Sequence, residues 1–287
     1  MNDEASDLQD FSAEDASDSP LATKRESHSE PKRKLRTSLE LPPLTLIATP
    51  IGNLGDLTFR AVETLERCDA VVAEDTRRAA QLLAHLGIHK PLVSFHEHNE
   101  EARLPELVSR LNGGERLALV TDAGTPSVSD PGFRLVRECI SKGIAYTVLP
   151  GACAVTTALV GSGLPPVPFF FGGFLPSSGS GRRKELRSAL SLPMTGVYFE
   201  SPHRLVDCLE DLSVIAPEAR ICVSRELTKI HEEYRHDSPA ELARHYRDNP
   251  PRGEVTLVIS AAGMTSAAGK KRGGAYSENT PIPRNLS

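Results

Sequence analysis

Short apolar runs alternate with amphipathic segments along the first half of the chain. The apolar runs lie at 44–49, 70–74, 117–121 and 145–149. Their length and aliphatic composition are typical of buried strands. The segments that place apolar residues at helical spacing lie at 58–67, 104–111, 133–142 and 154–161. The pattern therefore predicts strands that alternate with helices.

The pattern restarts after a proline-rich joint at 161–168, which we interpret as a domain boundary. The strand-like segments of the second half lie at 169–174, 195–200, 220–224 and 254–259. We predict an α/β protein with two α/β domains, 44–163 and 164–262, and with helices on both faces of the sheets. Ligands in such folds bind beyond the carboxyl ends of the strands or between the domains.

The two ends of the chain differ in composition from this core. Residues 1–20 carry seven acidic residues and no basic one, whereas 24–36 is rich in lysine and arginine. Hydrophobic periodicity is missing from both blocks, so we expect disordered tails over 1–43 and 263–287. The basic patch at 32–36 is either a solvated part of the tail or an arm that contacts RNA.

Several classes of protein are excluded by what the sequence lacks. No apolar run approaches the ~20 residues of a membrane span, and the amino-terminal residues include no apolar secretory segment. The five cysteines form no CxxC pair, and the fingerprints GxGxxG, GxxxxGK(S/T) and GxSxG are absent. We expect a cytoplasmic protein in a reducing compartment, without a membrane or a metal site. We interpret as surface or loop histidines, and not as metal ligands, His85, His89, His96 and His98.

Three polar loops follow predicted strands in the first half. The loop at 49–56 is either a tight turn into a helix or a ligand loop. The loop at 122–132 is long for its place and begins with Asp122, whose carboxylate suits a ligand hydroxyl or ammonium group. In the other interpretation it is a turn in which Ser129 or Asp130 caps a helix. The segment at 150–154 is either a plain helix start or an anion-binding one.

Two charged segments follow predicted strands in the second half. Glu200, His203 and Arg204 put an acid, a titratable base and a cation at one strand end. The segment 225–229 adds an acid and two cations after the next strand. Together they form either a site or a charged surface, and in the second interpretation Ser201 is a helix cap.

A further basic segment begins a helix in the second half. Arg182, Arg183 and Lys184 form either a solvated helix face or a patch that contacts RNA phosphates. The net charge of the chain is −5. Any RNA contact therefore needs a local basic patch of this kind.

Seven segments occur in the order found in one known family. They are LIATPIGNLGD (46–56), EDTR (74–77), TDAGTPSVSDPG (121–132), LPG (149–151), VYFESPHR (197–204), SRELTKIHEE (224–233) and GEVTLVI (253–259). In these segments the chain resembles the bacterial family that methylates the 2′-hydroxyl of a cytidine in small-subunit (16S) ribosomal RNA. That family belongs to the tetrapyrrole (corrin/porphyrin) methylase superfamily. The resemblance covers about 44–262, which is the whole predicted core.

The resemblance implies two α/β domains of the tetrapyrrole methylase type, usually in a homodimer, with S-adenosylmethionine in the cleft between the domains. The residues that it assigns to the cofactor site or its border are Asp122, Gly124, Thr125, Ala154, Val155, Pro50 and Gly52. The candidate catalytic side chains, which would deprotonate or stabilise a ribose hydroxyl, are His203, Glu200, Glu226 and Lys229. The candidate RNA-binding cations are Arg182, Arg183, Lys184, Arg204 and Arg225.

Two other functions stay open. One is methylation of a small tetrapyrrole precursor, against which the ESPHR and GTPSVSDPG segments argue. The other is a non-catalytic RNA-binding module that keeps the fold. In the favoured interpretation the partner is the RNA of the assembled small ribosomal subunit, and no partner protein is expected.

Overall fold

The computed structural model describes residues 40–261, so the predicted tails lie outside the described residues, apart from 40–43. The strands of the first half, β1 to β5, are Leu44–Ile47, Ala70–Ala73, Leu92–Ser94, Leu117–Val120 and Tyr146–Leu149. Its helices, α1 to α5, are Phe59–Arg67, Thr76–His85, Glu100–Asn112, Phe133–Lys142 and Ala154–Gly161. A short 3₁₀ helix, Leu54–Asp56, precedes α1.

The second half adds five strands and three helices to the described chain. Strands β6 to β10 are Phe169–Phe174, Thr195–Glu200, Arg220–Arg225, Glu233–Asp237 and Val255–Ser260. Helices α6 to α8 are Gly179–Leu190, Leu205–Ile215 and Pro239–Asp248. None of the helices between residues 40 and 261 combines the length and the apolar character that crossing a bilayer requires.

The first sheet is parallel, with strand order β3-β2-β4-β1-β5. Every residue of β1, β2 and β4 is buried, because helices cover both faces of the sheet. Leu107 of α3 and Leu135 of α4 pack on one face, whereas Leu65 of α1 and Leu83 of α2 pack on the other. Since the strands are parallel, the loops that follow them meet at one edge of the sheet.

The second sheet is mixed, with strand order β6-β7-β10-β8-β9, and only β6 and β7 run parallel. Helices α6, α7 and α8 pack on one face around Leu186, Leu209 and Tyr246. Helix α5 lies on the other face, where Ala158 packs with Val197. Both sheets belong to one compact unit, and the division into two domains stays a prediction.

The structure confirms the α/β class, and each of the eight predicted strands is present to within two residues. Thr58 Oγ1 accepts the backbone N–H of Ala61 at 3.1 Å and so caps the start of α1. The sequence pattern did not predict α2, β3 or β9. Strand β3 has three residues, and β9 reads EYRHD with no buried position. Neither carries the apolar signal on which strand prediction depends.

Candidate functional site

A cavity of about 450 Å³ opens where the carboxyl edge of the first sheet faces the second sheet. Its walls come from the loop after β4, the start of α5, the end of β7 and the start of β10. The residues assigned to the cofactor by motif matching that line it are Asp122, Gly124, Thr125, Ala154 and Val155. The volume lies within the range of ~300–1,000 Å³ that small-molecule sites occupy.

Direct hydrogen bonds tie together the loops after β1, β4 and β5. Thr49 and Gly124 exchange two backbone hydrogen bonds of 2.9 Å. Thr125 Oγ1 donates to the carbonyl oxygen of Ala152 at 3.1 Å. Gly124 has a φ of +85°, and a Cβ there would lie 3.3 Å from Ile51 Cγ2. The backbone conformation and the close packing therefore both favour glycine at this position.

Three carboxylates, those of Glu74, Asp122 and Asp130, line one wall of the cavity. Asp122 Oδ1 accepts the backbone N–H of Asp75 at 3.1 Å, and Oδ2 lies 3.4 Å from Arg78 Nε. Burial, together with the charges of Glu74 and Asp122, raises the pKa of Asp130 to about 7. Burial also raises the pKa of Glu74. This wall favours a positively charged ligand group.

The amino terminus of α5 forms another part of the wall. Its N-cap residue, Cys153, makes no side-chain capping bond, and Ala154 and Val155 line the cavity. The first N–H groups of an α-helix have no partner within the helix. They are therefore available to a carboxylate or hydroxyl oxygen in the cavity.

Glu200 is a fully buried carboxylate at the end of β7. Its Oε1 accepts the backbone N–H of Ser201 at 2.7 Å and lies 2.6 Å from Arg204 Nη2. Its Oε2 is buried without a hydrogen-bond partner among the described residues. Since buried polar atoms are nearly always hydrogen-bonded, a ligand donor in the cavity would complete this carboxylate.

Glu226 and Lys229 belong to a charged loop after β8. Lys229 Nζ donates to Glu226 Oε1 at 2.8 Å and to Glu254 Oε2 at 2.9 Å. Burial acts to raise the pKa of Glu226, but its hydrogen bonds with Lys229 and with the N–H of Glu254 lower the pKa overall. Of these three residues, Glu254 lines the cavity. Gly52, in the loop after β1, packs directly against Lys229.

Three of the other predicted residues lie away from the cavity wall. His203 is exposed and does not line the cavity. Arg225 Nε lies 3.1 Å from Glu233 Oε2 on the neighbouring strand, and Pro50 lines an adjacent depression. The roles of these residues in catalysis or in RNA and cofactor binding stay predictions.

The basic segment at the start of α6 divides between the interior and the surface. The Arg182 side chain is 6% exposed, and its Nε lies 2.8 Å from Asp211 Oδ2 on α7. Arg183 shares Asp211 at 3.2 Å but is 43% exposed, and Lys184 is exposed. Arg182 therefore joins α6 to α7 inside the fold, which leaves no accessible guanidinium at this position. The predicted RNA contact rests on Arg183 and Lys184.

Several cavity residues escaped the sequence reasoning. Arg78 follows the EDTR segment, which was the one available signal, and Asp130 was interpreted only as a helix cap. Glu254 directly precedes β10, whereas ligand sites in α/β folds usually follow the carboxyl ends of the strands. Because β10 runs antiparallel to β7, Val255 pairs with Glu200. The start of β10 therefore lies at the same edge as the end of β7.

Between residues 40 and 261, no group of three or more His, Cys, Asp or Glu side chains is arranged to hold a metal ion.

Residues 43–243 match the model of the family described as Tetrapyrrole (Corrin/Porphyrin) Methylases. The match spans more than half of the chain, which therefore belongs to this family. The resemblance found in the seven segments is thus confirmed, and the protein is a methyltransferase by family.

Two relatives and one solved structure make the likeness more specific. The Ribosomal RNA small subunit methyltransferase I of Halalkalibacterium halodurans is 44% identical over 220 residues, covering 77% of this chain and 76% of that protein. The protein of the same name from Thermotoga maritima is 43% identical over 217 residues, covering 76% and 97%. The crystal structure of the methyltransferase CobJ matches with a TM-score of 0.59 at 18% identity, covering 77% of this chain and 95% of that one. At that identity the structural likeness shows the fold alone.

Proposed function

We propose that this chain is a cytoplasmic, S-adenosylmethionine-dependent methyltransferase that methylates the 2′-hydroxyl of a cytidine ribose in the 16S RNA of the small ribosomal subunit. The observation that carries the proposal is the convergence of the loop after β4, the start of α5 and the end of β7 on the cavity of about 450 Å³. The relatives that are 43–44% identical and named as small-subunit ribosomal RNA methyltransferases support the substrate class.

The residues of the cavity fit S-adenosylmethionine. Asp122 and Asp130 put carboxylates where a positive sulfonium would be stabilised. The free N–H groups at the start of α5 suit the carboxylate of the amino-acid part. Val155 and Val255 offer apolar surface to the adenine ring, and Glu200 Oε2 accepts a hydroxyl or amino donor. When bound, this cofactor supplies a methyl group already activated by a good leaving group.

The chain's own task is to align the attacking hydroxyl and to accept its proton. Among the carboxylates that line the cavity, we assign this task to Glu200, whose Oε2 has no hydrogen-bond partner among the described residues, and to Asp130. With a pKa of about 7, Asp130 is partly deprotonated at neutral pH and still basic enough to accept a proton. Glu226 is a weaker base because Lys229 keeps it ionised, and His203 is a candidate that would act from outside the cavity.

The RNA is expected to bind as part of the assembled subunit. An acidic chain with scattered cations binds naked RNA poorly, whereas a folded subunit offers shape as well as phosphates. Arg183, Lys184, Arg204 and Arg225 are the cations proposed to contact it.

The proposed working form is a homodimer with no partner protein. Strands β5 and β6 are edge strands, and they expose Tyr146, Val148 and Phe169. Exposed apolar side chains on sheet edges are normally covered in a stable protein. Sedimentation equilibrium tests this proposal, because a mass of one chain at micromolar concentration would contradict it.

Transfer of a labelled methyl group from S-adenosylmethionine tests the proposed function. The substrates are small ribosomal subunits from cells that lack this gene, naked ribosomal RNA, and a tetrapyrrole precursor. Label in the subunits supports the proposal. Label in the tetrapyrrole alone would move the protein to a biosynthetic role, and cofactor binding without transfer to any substrate would contradict catalysis.

A further inference from the structure

A second depression, of about 590 Å³, adjoins the cavity at the carboxyl edge of the first sheet. It lies between Pro50 on one side and Arg78, Gln81 and His85 of α2 on the other, and we call it the α2 groove. Arg78 and Asp122 line both the groove and the cavity. The groove therefore leads directly to the cavity in which the methyl group is proposed to bind.

Helix α2 presents a row of polar side chains to the groove. Arg78, Gln81 and His85 are spaced by three and four residues, so they lie on one face of the helix. Gln81 and His85 are exposed, and within residues 40–261 neither side chain has a hydrogen-bond partner. The Arg78 side chain is 62% exposed and pairs with Asp122 at 3.4 Å. All three polar ends are therefore accessible to a ligand.

The groove carries less negative charge than the cavity. Asp122 is the carboxylate of the groove lining, and Arg78 compensates it, while His85 adds a titratable base. The cavity instead carries several carboxylates, among them Asp130 and Glu200. A polyanion would be repelled by the cavity and accepted by the groove.

We propose that the α2 groove binds the single-stranded ribonucleotides that flank the target cytidine. The guanidinium of Arg78 and a ring N–H of His85 suit phosphate oxygens, and the Gln81 amide both donates and accepts at a base edge. Leu54, which is 48% exposed on the opposite side of the groove, offers apolar surface to a base or ribose. The RNA chain then passes Arg78 and Asp122, and the target ribose alone enters the cavity. This inference rests on the proposed function.

Substitutions in the groove but outside the cavity test the proposal in the full chain. His85→Glu adds a negative charge beside the proposed phosphates. His89→Glu is the matched control, because His89 is also exposed and lies four residues further along, outside the groove. We expect His85→Glu to raise the KM for small ribosomal subunits by about tenfold. The Kd for S-adenosylmethionine should stay within about twofold of the unmodified protein, and His89→Glu should change neither value.

Crosslinking locates the RNA independently of activity. Small subunits containing 4-thiouridine are irradiated with the unmodified protein, and the crosslinked peptide is identified by mass spectrometry. We expect a peptide that includes Gln81 and His85. Crosslinks confined to other surfaces, such as α6, would overturn the proposal.

The outcomes distinguish this proposal from the proposed function. Normal methylation by the unmodified protein, with His85→Glu as active as His89→Glu, overturns the groove alone. If the protein methylates no ribose in any RNA tested, both the proposed function and the groove proposal are overturned. If His85→Glu fails to fold, Gln81→Ala decides: a KM raised by about threefold supports the proposal, and an unchanged KM overturns it.

Discussion

Gly52 packs so closely on Lys229 that a Cβ at residue 52 would overlap Lys229 Cγ and lie 3.0 Å from the carbonyl oxygen of Leu227. Lys229 is itself fixed by ion pairs with Glu226 and Glu254. The loop after β1 is therefore held against the loop after β8, which joins the two sheets beside the cavity. The shape of the cavity depends on this contact.

Gly52→Ala is expected to reduce both activity and stability. The added methyl group must displace Lys229, at a cost of about 1–3 kcal/mol in the free energy of unfolding. We expect methyl transfer to fall about tenfold, because a misplaced wall disturbs alignment. Urea unfolding and the methyl-transfer assay measure the two effects. Gly179→Ala is the control, since the nearest neighbour of its added Cβ would be the flexible guanidinium of Arg183 at 3.2 Å. Equal activity and equal unfolding free energy in the two variants would show that the contact between Gly52 and Lys229 is unimportant.

Glu200→Gln should weaken both catalysis and the fold. The amide keeps the shape of the side chain but removes the charge that pairs with Arg204. We expect methyl transfer to fall about 100-fold and the free energy of unfolding to fall by about 1–3 kcal/mol. The control is Glu210→Gln, at a half-exposed carboxylate that pairs with Arg247 on the surface. Full activity of Glu200→Gln would exclude a charged role for this residue.

Asp130 should make stability depend on pH. Its pKa in the folded state is about 7 against an ordinary value of 3.8, so the folded state binds more protons between these values. Its favourable contribution is therefore present below about pH 4 and is lost as pH rises to about 7. Relative to the unmodified protein, Asp130→Asn should gain about 1–2 kcal/mol in free energy of unfolding between pH 5 and pH 8. Urea titrations at the two pH values measure this gain. Asp248→Asn, at an exposed side chain of α8, is the control, and an equal gain there would refute the assignment.

Substitutions at Arg182 and Lys184 should distinguish the structural role of Arg182 from the RNA-binding role of Lys184. Arg182→Ala removes a buried ion pair and leaves Asp211 with the half-exposed Arg183 as its partner, so we expect a loss of about 2–3 kcal/mol in the free energy of unfolding. Lys184→Ala, at an exposed position, should change stability by less than about 0.5 kcal/mol. It should instead weaken subunit binding and flatten its dependence on salt. If Lys184→Ala lowered the free energy of unfolding and Arg182→Ala weakened subunit binding alone, the result would contradict the geometry of α6.

Local patterns in the sequence were enough to predict much of the fold. The buried strands β1, β2 and β4 are continuous apolar runs, and the helical spacing at 58–67 coincides with α1. The sequence pattern did not predict strand β9, because its charged residues pair with β8 but are not buried.

The candidate site could be predicted only in part. The family resemblance assigned Asp122, Gly124 and Ala154 to the cofactor site. These residues line one cavity because the loops that follow the strands of a parallel sheet meet at one edge. Glu254 depends on the antiparallel register of β10 and β7, and the burial of Arg182 depends on the position of Asp211 on α7. Neither relationship is local in sequence, so no local pattern reports it.

Alkaline hydrolysis of methylated RNA tests the central claim most directly. Small ribosomal subunits from cells lacking this gene are incubated with the protein and with S-adenosylmethionine labelled in its methyl group. The RNA is then hydrolysed in alkali, which cleaves after a nucleotide only if its 2′-hydroxyl is free. The account predicts label in an alkali-resistant dinucleotide whose first residue is a methylated cytidine. Label recovered in mononucleotides would mean that a base is methylated and would contradict the account.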